Sequence, residues 1–329
     1  MQRGNCLIGV DLGTTGTKAA LIREDGTVLA EAHVPSRLIQ PRPGHVEQDP
    51  EEMLQSAVDT IRQVMATAGV GPAEVAGLAL SGQMAGILLI DDEWNPVTPY
   101  DSWLDTRCDP YVAAMRPEAE RIIAACGGPP TYSHGPKLLW WKNEHPEVFR
   151  RAAKFVMPAA YVAGRLTGLK AEQAFIDWTY VHFSCLADLR EARWSDELSQ
   201  LFGIPRDKLP RIVRPWEVVG RLTGEGARAT GLLEGTPVVA GAGDQAAAML
   251  GAGIVRVGMV YDSGGTASVM AACVSQFAPD RDSQTLLTAR MVPADLWYAI
   301  GYINGGGLNL KWFRDHLNEL RGTGDEGDY

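Results

Sequence analysis

The stretch Cys6-Leu-Ile-Gly-Val-Asp-Leu-Gly-Thr-Thr-Gly-Thr-Lys-Ala-Ala20 decides the fold. Apolar residues run up to Asp11, break at a glycine-threonine turn and resume at Ala19 to Ile22. The stretch therefore reads as two strands joined by a tight turn, with one carboxylate where the first strand ends. Gly9, Gly13 and Gly16 let the backbone approach an anion, while Thr14, Thr15, Thr17 and Lys18 offer hydroxyl, amide and ammonium donors. Such a hairpin is suited to holding phosphate. It is not a Walker loop, because the GxxxxGK[ST] spacing is absent and a strand follows the turn. Asp11 beside a phosphate cradle needs a counter-charge, which a bound Mg2+ supplies.

The remaining composition narrows the partners. With 329 residues, 46% of them hydrophobic, the chain can bury a large core in two domains. Thirty basic against forty acidic side chains leave a net charge of -10 and no basic run, which argues against nucleic acid or an anionic membrane as partner. Cys6, Cys108, Cys126, Cys185 and Cys273 are odd in number, scattered and without metal-ligand spacing, as expected of reduced thiols in the cytoplasm. No apolar run approaches the roughly 18 residues of a membrane span.

Beyond the hairpin, Val28 to Val34 reads as a third antiparallel strand. A helix should start at Asp49, with Pro50 in its first turn and Glu52 closing a capping box, and end at Gly69. Val75 to Leu80 reads as a buried strand ending at Ser81-Gly-Gln-Met84. From about 95 to 215 the sequence is rich in tryptophan and proline and mostly helical, an insertion forming one wall of a cleft. Regular pattern returns with a strand at Thr236 to Ala240, the turn Gly241-Ala-Gly-Asp244 and a helix from Gln245. Strands at Val257 to Asp262, Thr266 to Cys273 and Leu296 to Ile303 follow, then a helix from about Gly306 to Leu320. The second strand-glycine-strand run, through Ser263-Gly-Gly-Thr266, echoes the first and implies a duplicated fold.

Candidate chemistry gathers at the strand ends. Asp244 opens a helix, where backbone N–H groups should hold its carboxyl low, leaving an orienting group and a weak base. Trp103-Leu-Asp-Thr-Arg107 combines an aromatic face, a carboxylate and a guanidinium, a mixture that suits polyhydroxylated molecules.

Asp11-Leu-Gly-Thr-Thr-Gly-Thr-Lys18, Ser81-Gly-Gln-Met84, Trp103-Leu-Asp105, Pro136-Lys-Leu-Leu-Trp140, Gly241-Ala-Gly-Asp-Gln245 and Gly265-Thr266 occur in the order and spacing of the FGGY carbohydrate kinases. From about residue 6 onward the chain resembles this family, and most of all its xylulose kinase branch. The resemblance implies an α/β, actin-like and ribonuclease-H-like duplicated ATPase fold, with a complete N-terminal domain over 1–251 and a partial C-terminal domain over 252–329. It implies ATP and Mg2+ as cofactors and a sugar or polyol as substrate, and leaves a homodimer open. Carried over by position, Asp11 would hold the metal through water and Asp244 would be the catalytic base. Gln83, Met84, Trp103, Asp105, Tyr132, Asp244 and Gln245 would line the sugar site. Gly13, Thr14, Thr15, Lys18, Gly265, Thr266 and Gly307 would meet phosphate and nucleotide.

Two departures stand out. The branch usually carries His after the Gln-Met pair, where this chain has Ala85, so a hydrogen bond to the sugar is missing. Family members are also longer, and the segment that covers adenine is expected beyond Tyr329, with weak ATP binding as its consequence. Two rivals share parts of the pattern: a partner-moving actin-like ATPase, against which the 95–215 insertion speaks, and a non-catalytic sugar-binding remnant.

Overall fold

The computed structural model describes residues 4–264, 268–303 and 306–321. Strands β1 (Cys6–Leu12), β2 (Gly16–Arg23) and β3 (Val28–Pro35) are antiparallel neighbours, with Asp11 opposite Lys18 across the first pair. The other edge of β1 pairs in parallel with Val75–Gly82, which takes Pro237–Val239 in parallel, and Val218–Arg221 closes the six-stranded sheet. Three parallel strands therefore end on one edge. Ligands of open α/β sheets collect at such an edge, outside the carboxyl ends of the strands.

Alternation along β1 sorts the chemistry. Cys6, Ile8, Val10 and Leu12 are buried in the core while Leu7, Gly9 and Asp11 lie on the opposite face. Burying one such aliphatic side chain contributes about 1.5–3 kcal/mol, which makes a one-residue register slip costly. The core face is covered by helix α1 (Pro50–Ala68) and by the helix Pro158–Thr167. As expected, Asp49 caps α1, accepting from Glu51 N at 2.8 Å, and Gly69 ends it at φ 64. Glu52 does not close a capping box; its carboxylate pairs with the stronger donor Arg37 at 2.6 Å.

The 95–215 segment has its own core, in which Leu138, Trp140, Trp141, Phe155, Tyr180 and Trp194 pack together. It is stitched to the main fold by Lys154–Val156, paired with Leu88–Ile90. A second sheet follows in the order Val260–Gly264, Ser268–Val274, Trp297–Ile303, Leu287–Arg290, all antiparallel, and then the helix Gly306–Arg321. The strand Leu287–Arg290 is absent from the sequence reading, because four residues containing Thr288 and Arg290 are too few to reveal alternation. All five cysteines are buried and unpaired by disulfides. Among the described residues no helix is long and apolar enough to cross a membrane.

Candidate active site

The turn after β1 closes tightly. Gly13 N donates to Gly16 O at 3.1 Å, and a Cβ on Gly13 would stand 2.9 Å from that same oxygen, so only glycine fits without a shift. Asp11, at the end of β1, has its Oδ1 buried without a protein partner. Burial raises its carboxyl above the usual range, with Lys18 pulling the other way. Thr14 Oγ1 receives the indole N–H of Trp103 at 2.8 Å and donates to Gln83 Oε1 at 3.4 Å. Thr15 and Lys18 are exposed.

The turn after Val75–Gly82 is tied to the first. Gln83 N donates to Leu12 O at 3.0 Å, and Gln83 Nε2 donates to Gln48 Oε1 at 2.6 Å, while Gln48 Nε2 reaches Thr14 O at 3.3 Å. Buried and bonded on both amide atoms, Gln83 organises the turns. Gln48 is absent from the sequence reading; its position between Gly44 and the start of α1 is the only local hint. Met84 is buried, its thioether against Gly243. Ala85 sits at φ 62, in the left-handed region.

The third turn carries Asp244. Gly241 has φ 73, and a Cβ there would fall 1.6 Å from Leu80 O, so glycine alone permits this sharp return into the helix Asp244–Gly251. Asp244 is the first helical residue, after Gly243 as cap, and its Oδ1 accepts from Gln245 N at 2.6 Å. The expected lowering of its carboxyl is overturned. Burial first, and the like charge of Asp11 second, push it up to about 7, outweighing the single backbone hydrogen bond. A carboxyl poised there is a competent base at neutral pH. Gln245 Oε1 is buried without a protein partner, a state that costs about 1–3 kcal/mol and that a ligand hydroxyl would relieve.

On the facing side, Trp103 and Tyr132 expose about two fifths of their surface, 39% and 37%. The Tyr132 hydroxyl donates to Asp109 Oδ1 at 2.9 Å. Asp105 does not offer its carboxylate to a ligand. It is fully buried, accepting from Val46 N at 2.7 Å and from Arg107 Nε at 2.9 Å and Nη2 at 2.7 Å, with Lys137 Nζ at 3.9 Å. Lys137, buried as well, donates to Ser102 O at 3.0 Å and Asp105 O at 2.9 Å. Arg107 also pairs with Glu47 at 2.6 Å and stacks 5.0 Å over the Trp140 ring. Burial raises the neighbouring Asp101 to about 6. This cluster holds the turn that presents Trp103. Gly265 and Thr266 lie outside the described residues, and Gly307 lies in the helix Gly306–Arg321.

Among the described residues no three metal-ligating side chains cluster. A hard cation that keeps its waters and takes one or two carboxylates plus phosphate oxygens still fits, and the unpartnered Asp11 Oδ1 is such a donor.

The fold and this edge define the actin-like, ribonuclease-H-like ATPase class, with the C-terminal domain present in part. Residues 6–251 match the N-terminal domain of the FGGY family of carbohydrate kinases, and the chain belongs to that family. The xylulose kinase of Bacillus subtilis is 30% identical over 310 residues, covering 94% of this chain and 61% of that protein. A gluconokinase of the same organism is 26% identical over 314 residues, covering 94% and 60%. The crystal structure of xylulose kinase from Rhodospirillum rubrum matches with a TM-score of 0.88 at 30% identity, over 95% of this chain and 64% of that one. The chain thus spans about three fifths of the length of the curated relatives it matches.

Proposed function

We propose that the protein transfers the γ-phosphoryl group of ATP to a hydroxyl of a neutral ketose, with D-xylulose the first candidate and ribulose or a polyol the alternatives. One observation carries this reading: Asp244, raised to about 7, shares the sheet edge with the Gly13 to Thr15 turn and with Asp11. The sugar lies against Trp103 and the Gln83-Met84 turn, and the unused Gln245 Oε1 accepts from one of its hydroxyls. Asp244 takes the proton of the attacking hydroxyl as the bond from sugar oxygen to γ-phosphorus forms and the bond to the bridging oxygen breaks. In a loose transition state orientation of that hydroxyl matters most. Gly13, Thr14, Thr15 and Lys18, with Gly265, Thr266 and Gly307, meet phosphate and nucleotide. Asp11 would hold Mg2+ through water, and the ion, when bound, neutralises phosphate charge.

A neutral substrate is favoured over an aldonate. Asp11 and Asp244 already repel each other, and a substrate carboxylate would bring a third negative charge beside them. We further place the boundary of the two domains at 251 and 252, the insertion at about 95–215, and the protein in the cytoplasm.

Sugar-dependent release of ADP, measured over xylulose, ribulose, glycerol, erythritol and gluconate, tests this. Preference for gluconate overturns the neutral-substrate reading. Sugar binding by calorimetry without ADP release makes the chain a sugar-binding module.

A further inference from the structure

Two consecutive residues of the inserted segment reach the sheet edge from behind. Thr179 Oγ1 accepts from Gly243 N at 2.9 Å and donates its own O–H to Asp177 Oδ1, which also accepts from Thr179 N at 2.9 Å. The next hydroxyl, on Tyr180, donates to Gly82 O at 2.9 Å. Gly82 and Gly243 are themselves parallel bridge partners. Asp177, Thr179 and Tyr180 are 3%, 0% and 1% exposed, so none can reach a ligand. Gly243 precedes Asp244, and Gly82 precedes Gln83 and Met84.

We infer that Thr179 and Tyr180 are positioning residues, Thr179 for the turn that carries Asp244 and Tyr180 for the turn that carries Gln83 and Met84. Gly243 is the N-cap residue of its helix, and its N–H, outside the helical ladder, takes Thr179 as its acceptor. One dipeptide thereby sets the spacing between the base and the substrate-facing turn. Its kinetic consequences rest on the kinase reading above; its structural consequence does not.

The test uses Thr179→Val, Thr179→Ser and Tyr180→Phe in the full chain, with Thr179→Ala as reserve should the valine variant fail to fold. Hydrogen exchange at the Gly243 amide, read by NMR and corrected for global stability, should speed up about tenfold or more in the valine or alanine variant and return to normal in the serine variant. With D-xylulose and ATP, the valine or alanine variant should lose about 10- to 100-fold in kcat with KM within about threefold. Tyr180→Phe should do the reverse, raising the sugar KM about three- to tenfold with kcat nearly unchanged. Unaltered Gly243 exchange in the valine and alanine variants overturns the inference even if the protein is no kinase. So does a tyrosine variant whose kinetic change matches the threonine variants'. Altered exchange with no turnover in wild type sinks the kinase reading and leaves the positioning role standing.

Discussion

The two sides of the candidate site are built by different physics. On the sheet side, three turns are shaped by backbone: glycines at 13 and 241, where a Cβ would press on a backbone oxygen, and hydrogen bonds from one strand end to the next. On the insertion side, the turn presenting Trp103 is held by a buried cluster of charges, Asp101, Asp105, Arg107 and Lys137, with Glu47. Backbone construction leaves the carboxylates of the first side available for chemistry. Charge construction consumes those of the second. On the first side Asp11 keeps an oxygen without a protein partner, whereas on the second Asp105 is itself the holder.

That contrast is open to direct attack. The largest effect is expected from Asp244→Asn, which keeps shape but cannot accept a proton: turnover should fall by about 10²–10⁴ with sugar affinity little changed, measured by steady-state kinetics and calorimetry. Near-normal turnover would remove Asp244 from the chemistry. Asp105→Ala should instead act on stability. Deleting one partner of a buried ion cluster strands the other, at a cost of about 3–5 kcal/mol in urea unfolding. If Asp105→Ala unfolds like wild type and loses only sugar affinity, the assignment of sides is reversed.

Acid should also reveal the insertion side. His134 and His182 are buried there, and burial holds His134 well below its usual range and His182 near about 3. In the unfolded chain both protonate near pH 6.5, in the native state they do not, so the unfolded state binds more protons. The stability they contribute is present above about pH 6.5 and is lost as pH falls, by up to about 1.4 kcal/mol per pH unit for each. His134→Gln should flatten that slope in thermal melts between pH 4 and 6.5; an unchanged slope would show that His134 does not titrate on unfolding. Asp244 has the opposite sign. Raised to about 7, it is protonated in the native state over a range where the unfolded chain has released its proton. Its contribution therefore falls as pH rises from about 4 to 7, the range over which its activity as a base should grow.

The smallest expected effect sharpens the substrate side. Ala85 already occupies the left-handed region, where histidine is tolerated better than most residues, so Ala85→His should fold. An added donor is worth about 0.5–1.5 kcal/mol, and the xylulose-to-ribulose activity ratio should rise accordingly. An unchanged ratio would show that position 85 does not read the sugar.

These differences follow what sequence can express. The sheet side was legible because strand alternation and glycine spacing are local: Cys6 to Lys18 and Gly241 to Asp244 each announce their turn within one short stretch. The insertion side was not. Asp105 looks like any carboxylate beside a tryptophan, and only folding brings Val46, Arg107 and Lys137 around it. The direction of the Asp244 shift failed for the same reason, since the helix start is local and burial beside Asp11 is not. Tyr132, by contrast, read as lining the sugar site, turns its hydroxyl to Asp109.

The buried thiols carry a last consequence. Among the described residues each hydrophobic core contains at least one: Cys6 in the core of the first sheet, Cys108, Cys126 and Cys185 in that of the insertion, and Cys273 in the core that the second sheet forms with the helix Asp244–Gly251. Burial pushes Cys108 to about 11 and Cys126 to about 12, so alkylating reagents meet neither a thiolate nor an accessible sulfur while the cores are closed. Modification must then wait for opening. The chain carries a built-in clock for each core, and peptide mapping of a slow alkylation time course would read off the order in which the sheet, the insertion and the second sheet come apart.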